Sequence, residues 1–148
     1  MHSHSPSTLP CSDYIEIRGM VFFARMLSKI RLRQQGLLPA DYELGTSSPT
    51  CFDARFCRFW NVDYEQIRTL TLAGKSDEAI FDAIFEGRTL NPEHVLCWNS
   101  FITKRGWRDG VSGELERLKV AEGLEGRADV QTFVDFHDVD EGRSLRYS

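Results

Sequence analysis

The chain has 148 residues, 41% of them hydrophobic and 27% charged, with a formal net charge of −4. That balance fits one globular domain large enough to bury a core without disulfide staples, and it argues against a protein coated for bulk nucleic-acid binding. No apolar run approaches the length of a bilayer span, and the opening MHSHSPSTLP lacks the charged head and apolar centre of a secretory signal, so a cytoplasmic location away from membranes is expected. The four cysteines, Cys11, Cys51, Cys57 and Cys97, show no CxxC spacing and are read as reduced thiols; neither a metal nor a cofactor is expected.

Residues 1–12 read as a mobile leader rich in Ser, His and Pro, in which His2 and His4 have no surroundings to fix a metal. A single helical domain is expected over 13–148. Asp13 to Gly36 forms the longest amphipathic run and is expected to be the central helix of the fold. At helical spacing Ile17, Met20, Val21, Ala24 and Leu27 share one side, widened by Phe23, Met26 and Ile30. Arg18, Phe22, Arg25, Lys29 and Arg33 fall on the remaining strip, which reads as an open basic edge. Arg31 aligns with Leu27 and Ala24 instead, so it should point inward and meet a carboxylate, the carbonyls of its own helix end or a bound anion.

Gly36 ends this run, and a loop rich in Asp, Gly, Ser and Thr leads to Thr50-x-x-Asp53, a capping box ahead of an aromatic core stripe of Phe52, Phe56, Phe59 and Trp60. Asp63-x-x-Gln66, Ser76 and Asn91-Pro92 each start a further helix, the last carrying Val95, Trp98, Phe101 and Ile102 toward Gly106. KRGWRDGVSG follows. In this turn Lys104 and Arg105 suit a helix C-terminus, while Arg108, Asp109 and Trp107 supply an anion grip, a carboxylate to orient it and a flat wall. Ser112 opens another helix. Asp129 is expected to cap the final one, with Val130, Phe133, Val134 and His137 inward and Asp135, Asp138, Asp140 and Glu141 partly outward. Strand alternation is absent, so the expected class is all-α: a bundle of six or seven helices joined by short turns.

Four motifs run through this pattern: Ala24-Arg25-x-x-x-Lys29-x-Arg31, Phe52-Asp53-x-Arg55-Phe56, Trp98-Asn99-x-Phe101 leading to Lys104-Arg105-Gly106, and Asp138-x-Asp140-Glu141-Gly142-Arg143. In combination they resemble a bacterial family of small proteins known as domain of unknown function 5069. The resemblance covers nearly the whole chain after the leader and departs from the pattern at Ser28, where an Asp would be expected. It implies the architecture and carries no activity.

Function is read as binding of a small anionic ligand or an acidic partner segment. The residues expected to carry it are Arg25, Lys29, Arg31, Lys104, Arg105, Arg108 and Asp109, with Trp98 as a wall. One alternative is a metal-independent enzyme with the same cationic clamp and His94, His137 or Asp109 as general base, although no P-loop, HExxH or nucleophile-elbow pattern occurs. Another is a docking or homo-oligomerisation module presenting Trp60, Phe81 and Phe85.

Overall fold

The computed structural model describes residues 8–147; residues 1–7 of the expected leader, including His2 and His4, lie outside them. The run beginning at Asp13 is not one helix. Glu16–Ile17 (β1) and Met20–Val21 (β2) pair antiparallel, with Ile17 opposite Met20, and only Phe23–Gln34 (α1) is helical. The break lies in the turn, where Arg18 and Gly19 take φ of 53° and 81°, the pair of positive values favoured in two-residue hairpins. Strands of two residues are too short to show alternation, so their apolar side chains blend into the helical count.

The other helices are Phe52–Trp60 (α2), Tyr64–Leu72 (α3), Asp77–Ile84 (α4), Pro92–Ile102 (α5), Ser112–Ala121 (α6) and Phe133–Asp140 (α7). The described residues thus form seven helices and one small hairpin. At 12 residues against 11 for α5, α1 is not the long organising rod that the sequence suggests. No described helix is long and apolar enough to cross a membrane.

Three helix starts follow their sequence signals: Asp63, Ser76 and Asn91 accept the backbone N–H of Gln66, Ala79 and Glu93 at 3.2, 3.2 and 2.9 Å. Two do not. The expected box at Thr50 is absent, because α2 begins after Cys51 and Asp53 turns inward toward Lys29. At α7 the cap is Thr132, whose hydroxyl accepts from the Asp135 N–H at 3.0 Å, while Asp129 pairs with Arg127 on the surface.

The main core is aromatic at its centre. Phe23 stacks on Phe56 with centroids 5.0 Å apart, and Met26, Leu27, Ile67, Ile80 and Ile102 close around them. A smaller cluster of Leu115, Leu124, Val130, Phe136 and Val139 lies under α6 and α7. The hairpin is held to α5 by two adjacent residues. Trp98 Nε1 donates to the Val21 carbonyl at 3.1 Å, and the Asn99 side chain accepts from the Val21 N–H at 3.0 Å and donates to the Gly19 carbonyl at 2.8 Å. Trp98 is therefore a core residue and no ligand wall. Trp60, Phe81 and Phe85 are buried as well, which removes the docking surface expected of them.

From Leu9 onward the expected leader is packed: Leu9 and Pro10 are buried, and the Cys11 N–H donates to Ser28 Oγ at 3.2 Å. Ser28 thus anchors this segment to α1. Replacing Asn99 with Ala removes two hydrogen bonds that seat the hairpin, and the expected loss is about 1–2 kcal/mol of unfolding free energy by urea titration. Arg31→Ala, which removes a partly exposed ion pair with Asp77 and a long hydrogen bond to the Lys75 carbonyl, is expected to lose less than about 1 kcal/mol in the same titration.

Candidate functional site

A cleft of about 690 Å³ separates α1 and α2 from α6 and α7. Phe22, Phe52, Phe133 and Phe136 supply its apolar wall. Around them stand four cations, Arg25, Lys29, Arg55 and Arg105, together with His137 and a rim of carboxylates that includes Glu114, Asp140 and Glu141.

Arg25 and Lys29, expected on an open edge, are only 3% and 5% exposed. Burial without partners would cost several kcal/mol for each charge. Arg25 finds a bidentate partner in Glu141, at 2.8 and 2.7 Å, and donates to the Cys11 carbonyl at 3.1 Å; Asp13 Oδ1 lies 3.8 Å from its Nε. Burial opposes the charge on Arg25 most strongly, yet Asp13 and Glu141 outweigh it and raise its pKa. Glu141 is in turn held below the usual carboxylate range, burial notwithstanding, by Arg25, with help from His137 and Arg143. The Tyr42 hydroxyl donates to Glu141 at 2.7 Å, and the Arg143 guanidinium donates to the same carboxylate at 2.6 Å. Asp138, Asp140 and Glu141 are all buried, contrary to the outward placement their helical spacing suggests. Lys29 Nζ pairs with Asp53 at 2.8 Å and donates to the Glu43 carbonyl at 3.0 Å, while Asp53 also accepts from the Gly45 N–H at 2.8 Å. Both of these α1 cations are satisfied within the fold.

His137 lies 2.8 Å, through Nδ1, from Oδ2 of the fully buried Asp13. Burial is the largest influence on Asp13 and pushes its carboxyl up, but His137 and Arg25 together hold it below the usual range. An ionised Asp13 can only accept, so Nδ1 carries the proton of this hydrogen bond. Phe22 sits beneath, with φ of 77°, a left-handed conformation that costs an aromatic residue about 1–3 kcal/mol. It is kept there because its ring is clasped between Phe52, Phe56 and Trp98, and its N–H donates to the Asp13 carbonyl at 2.9 Å.

Arg55 differs from the α1 cations. It forms no ion pair with the described residues, and its buried Nε has no hydrogen-bond partner. Its guanidinium lies 5.2 Å from the Phe101 centroid, and that of Arg105 lies 5.3 Å from the same ring. Burial first, then the charges of Arg105 and Arg58, pull the pKa of Arg55 below its usual value. Arg105 is oriented by Asp109 at 3.3 Å. Asp109 also accepts the N–H groups of Gly106 and Val111 at 2.8 and 3.0 Å, which keep its carboxyl low despite desolvation. Gly106, with φ of 99°, is required here because a Cβ would come within 3.0 Å of Phe133 and 3.2 Å of Leu115.

The remaining candidates lie elsewhere. Arg31 points out of the core, half-exposed, and pairs with Asp77 at 2.6 Å near the start of α4. Lys104 and Arg108 are exposed beyond the lining of the cleft, Arg108 resting over Trp107 at 5.3 Å. His94 is exposed in the first turn of α5, so of the two histidines weighed as acid/base only His137 faces the cleft. Periodicity alone passes over Asp13, Tyr42, Asp53, Arg55 and Glu141. A usable signal was present for three of them, since Asp53, Arg55 and Glu141 stand within the motifs of the resemblance.

The family model described as a domain of unknown function (DUF5069) matches residues 7–143. The chain belongs to that family. No curated protein matches the sequence. In this DUF5069 domain the motif residues Arg25, Lys29, Arg55 and Glu141 line one cleft, Asp53 holds Lys29 from within the core, and Trp98 and Asn99 secure the hairpin.

Glu141→Gln strips Arg25 and Arg143 of their shared counter-charge, and a loss of about 3 kcal/mol or more in denaturant titration is expected. The pH dependence follows from the depressed carboxyls. Asp13 and Glu141 protonate less readily folded than unfolded, so their contribution is present above ordinary values of 3.8 and 4.5 and is lost as pH falls through the lower folded values. Asp138, raised chiefly by burial, opposes this in part. The midpoint of thermal unfolding is expected to drop on acidification below pH 4.5, and less steeply in Glu141→Gln.

Proposed function

We propose that the protein binds a small anionic ligand, a carboxylate or phosphate with an apolar or flat body, in the cleft between α1–α2 and α6–α7. The observation that carries this reading is Arg55, a partly desolvated guanidinium without a counter-anion, facing the cleft beside a second guanidinium. Arg105, stacked on the same ring and oriented by Asp109, makes the pair suited to bidentate capture of an oxyanion. Phe52 and Phe133, 6.1 Å apart and edge to face, offer the wall against which the rest of the ligand packs. Arg25 and Lys29 act in this reading as supports, because their charges are already matched by Glu141 and Asp53. The four cysteines carry no disulfide, and a reducing, cytoplasmic setting belongs to the same proposal.

A second reading rests on the Asp13–His137 pair. A buried carboxylate that fixes the imidazole tautomer is the arrangement a general base requires, and His137 stands one helical turn from Phe133 along α7. In that reading the arginine pair holds the anionic group while Nε2 takes a proton from the ligand or from a water.

Thermal unfolding with inorganic phosphate, citrate and adenosine monophosphate tests the binding. At about a hundred times the dissociation constant, a ligand is expected to stabilise the protein by about 2.7 kcal/mol. Arg55→Ala is expected to abolish the shift and Arg31→Ala to preserve it; an equal shift in wild type and Arg55→Ala refutes the assignment. For the catalytic reading, a ligand that binds is followed by proton NMR in deuterium oxide. His137→Gln is expected to slow its deuteration by about 100-fold or more.

A further inference from the structure

We propose that the outer face joining α2 to the C-terminal end of α5 docks a short acidic segment of another polypeptide. The face starts with the exposed Arg58 and Phe59 on α2, one turn beyond Arg55 at the edge of the cleft. It continues through Phe101, against which Arg55 and Arg105 both lie, and into the following turn with Lys104, Trp107 and Arg108. Three large aromatic side chains stand open here, Phe59 at 48%, Phe101 at 39% and Trp107 at 46% exposure.

The charge is one-sided. Three exposed cations, Arg58, Lys104 and Arg108, gather on this strip of a chain whose net charge is −4, with Arg55 and Arg105 at its border with the cleft, and the nearby Asp109 is already engaged by Arg105 and two backbone N–H groups. Arg58, Lys104 and Arg108 form no ion pair with the described residues. Guanidinium groups laid on aromatic rings are pre-oriented, so less side-chain entropy is lost when a carboxylate meets their N–H edges.

A single-stranded nucleic acid fits less well. It binds by stacking bases on free aromatic faces, and here Phe101 and Trp107 already carry arginines. Of the three exposed rings only Phe59 has no guanidinium over it, which serves one apolar side chain better than a run of successive bases. A peptide with a few carboxylates and one apolar side chain satisfies both features, with Phe59 as its hydrophobic anchor.

This surface stands without the cleft reading, because Arg58, Phe59 and Lys104 do not line the cleft. Fluorescence anisotropy of a fluorescein-labelled synthetic peptide of alternating Glu and Leu, titrated with the full chain, tests it. Saturable binding that weakens with added salt is expected, and Arg58→Glu or Lys104→Glu should reduce affinity about tenfold or more, since like charges then face each other. Both side chains are solvent-exposed, so the melting temperature and any phosphate-induced shift should stay at wild-type values; loss of the phosphate response alone would count against the cleft and not against this face. Absent peptide binding, equal affinity in the charge-reversed variants, or tighter binding of oligothymidylate of the same length overturns the proposal. Self-association abolished by Arg58→Glu also overturns it, by assigning the face to a second copy of the chain.

Discussion

The structure turns on one buried guanidinium. Arg25 lies in the wall of α1 with almost no access to water, and a charge in that position must be matched within hydrogen-bond reach. The partners it finds come from opposite ends of the sequence: Cys11 and Asp13 before the hairpin, Glu141 at the end of α7. Meeting this requirement brings α7 against α1 and places His137, which shares Asp13, on the same wall. The cleft is what remains between the two bodies so joined, apolar on its floor and ionised around it.

This arrangement sorts the cations by what each has beside it. Arg25 and Lys29 are neutralised by Glu141 and Asp53 and stiffen the walls. Arg55 has Arg105 and an aromatic ring as neighbours in place of a carboxylate, and stays charged at some cost. The contrast matters because proximity of positive residues in a sequence says nothing about whether their charge is available. Here Arg25 and Lys29, one turn apart on α1, carry charge that is already matched inside the fold.

Helix number and type were legible in the sequence, and so were the starts at Asp63, Ser76 and Asn91, because each depends on residues three or four apart. The hairpin escaped notice since Ile17, Met20 and Val21 fit a helical face as well as a strand pair. The faces of α1 differ from their sequence pattern for another reason. A periodicity argument presumes that the charged side of a helix meets water, whereas this side meets residues far along the chain. Those residues, Glu141 and Asp53, sit within the motifs that mark the family, so the clue lay in composition at particular positions and not in spacing. The caps at Thr132 and Cys51 show the same limit locally, for Asp129 and Asp53 each had a competing ionic partner.

The clasp between the first and last described segments has a bearing on how the chain reaches this state. The Pro10 carbonyl receives Arg143, and the acids that neutralise Arg25 lie before and after every other helix. The Arg25–Glu141 contact closes a loop of 116 residues, so the charge at the centre of α1 is matched only where the two ends of the domain meet, and the entropy of that closure is offset by contacts along the whole chain between them.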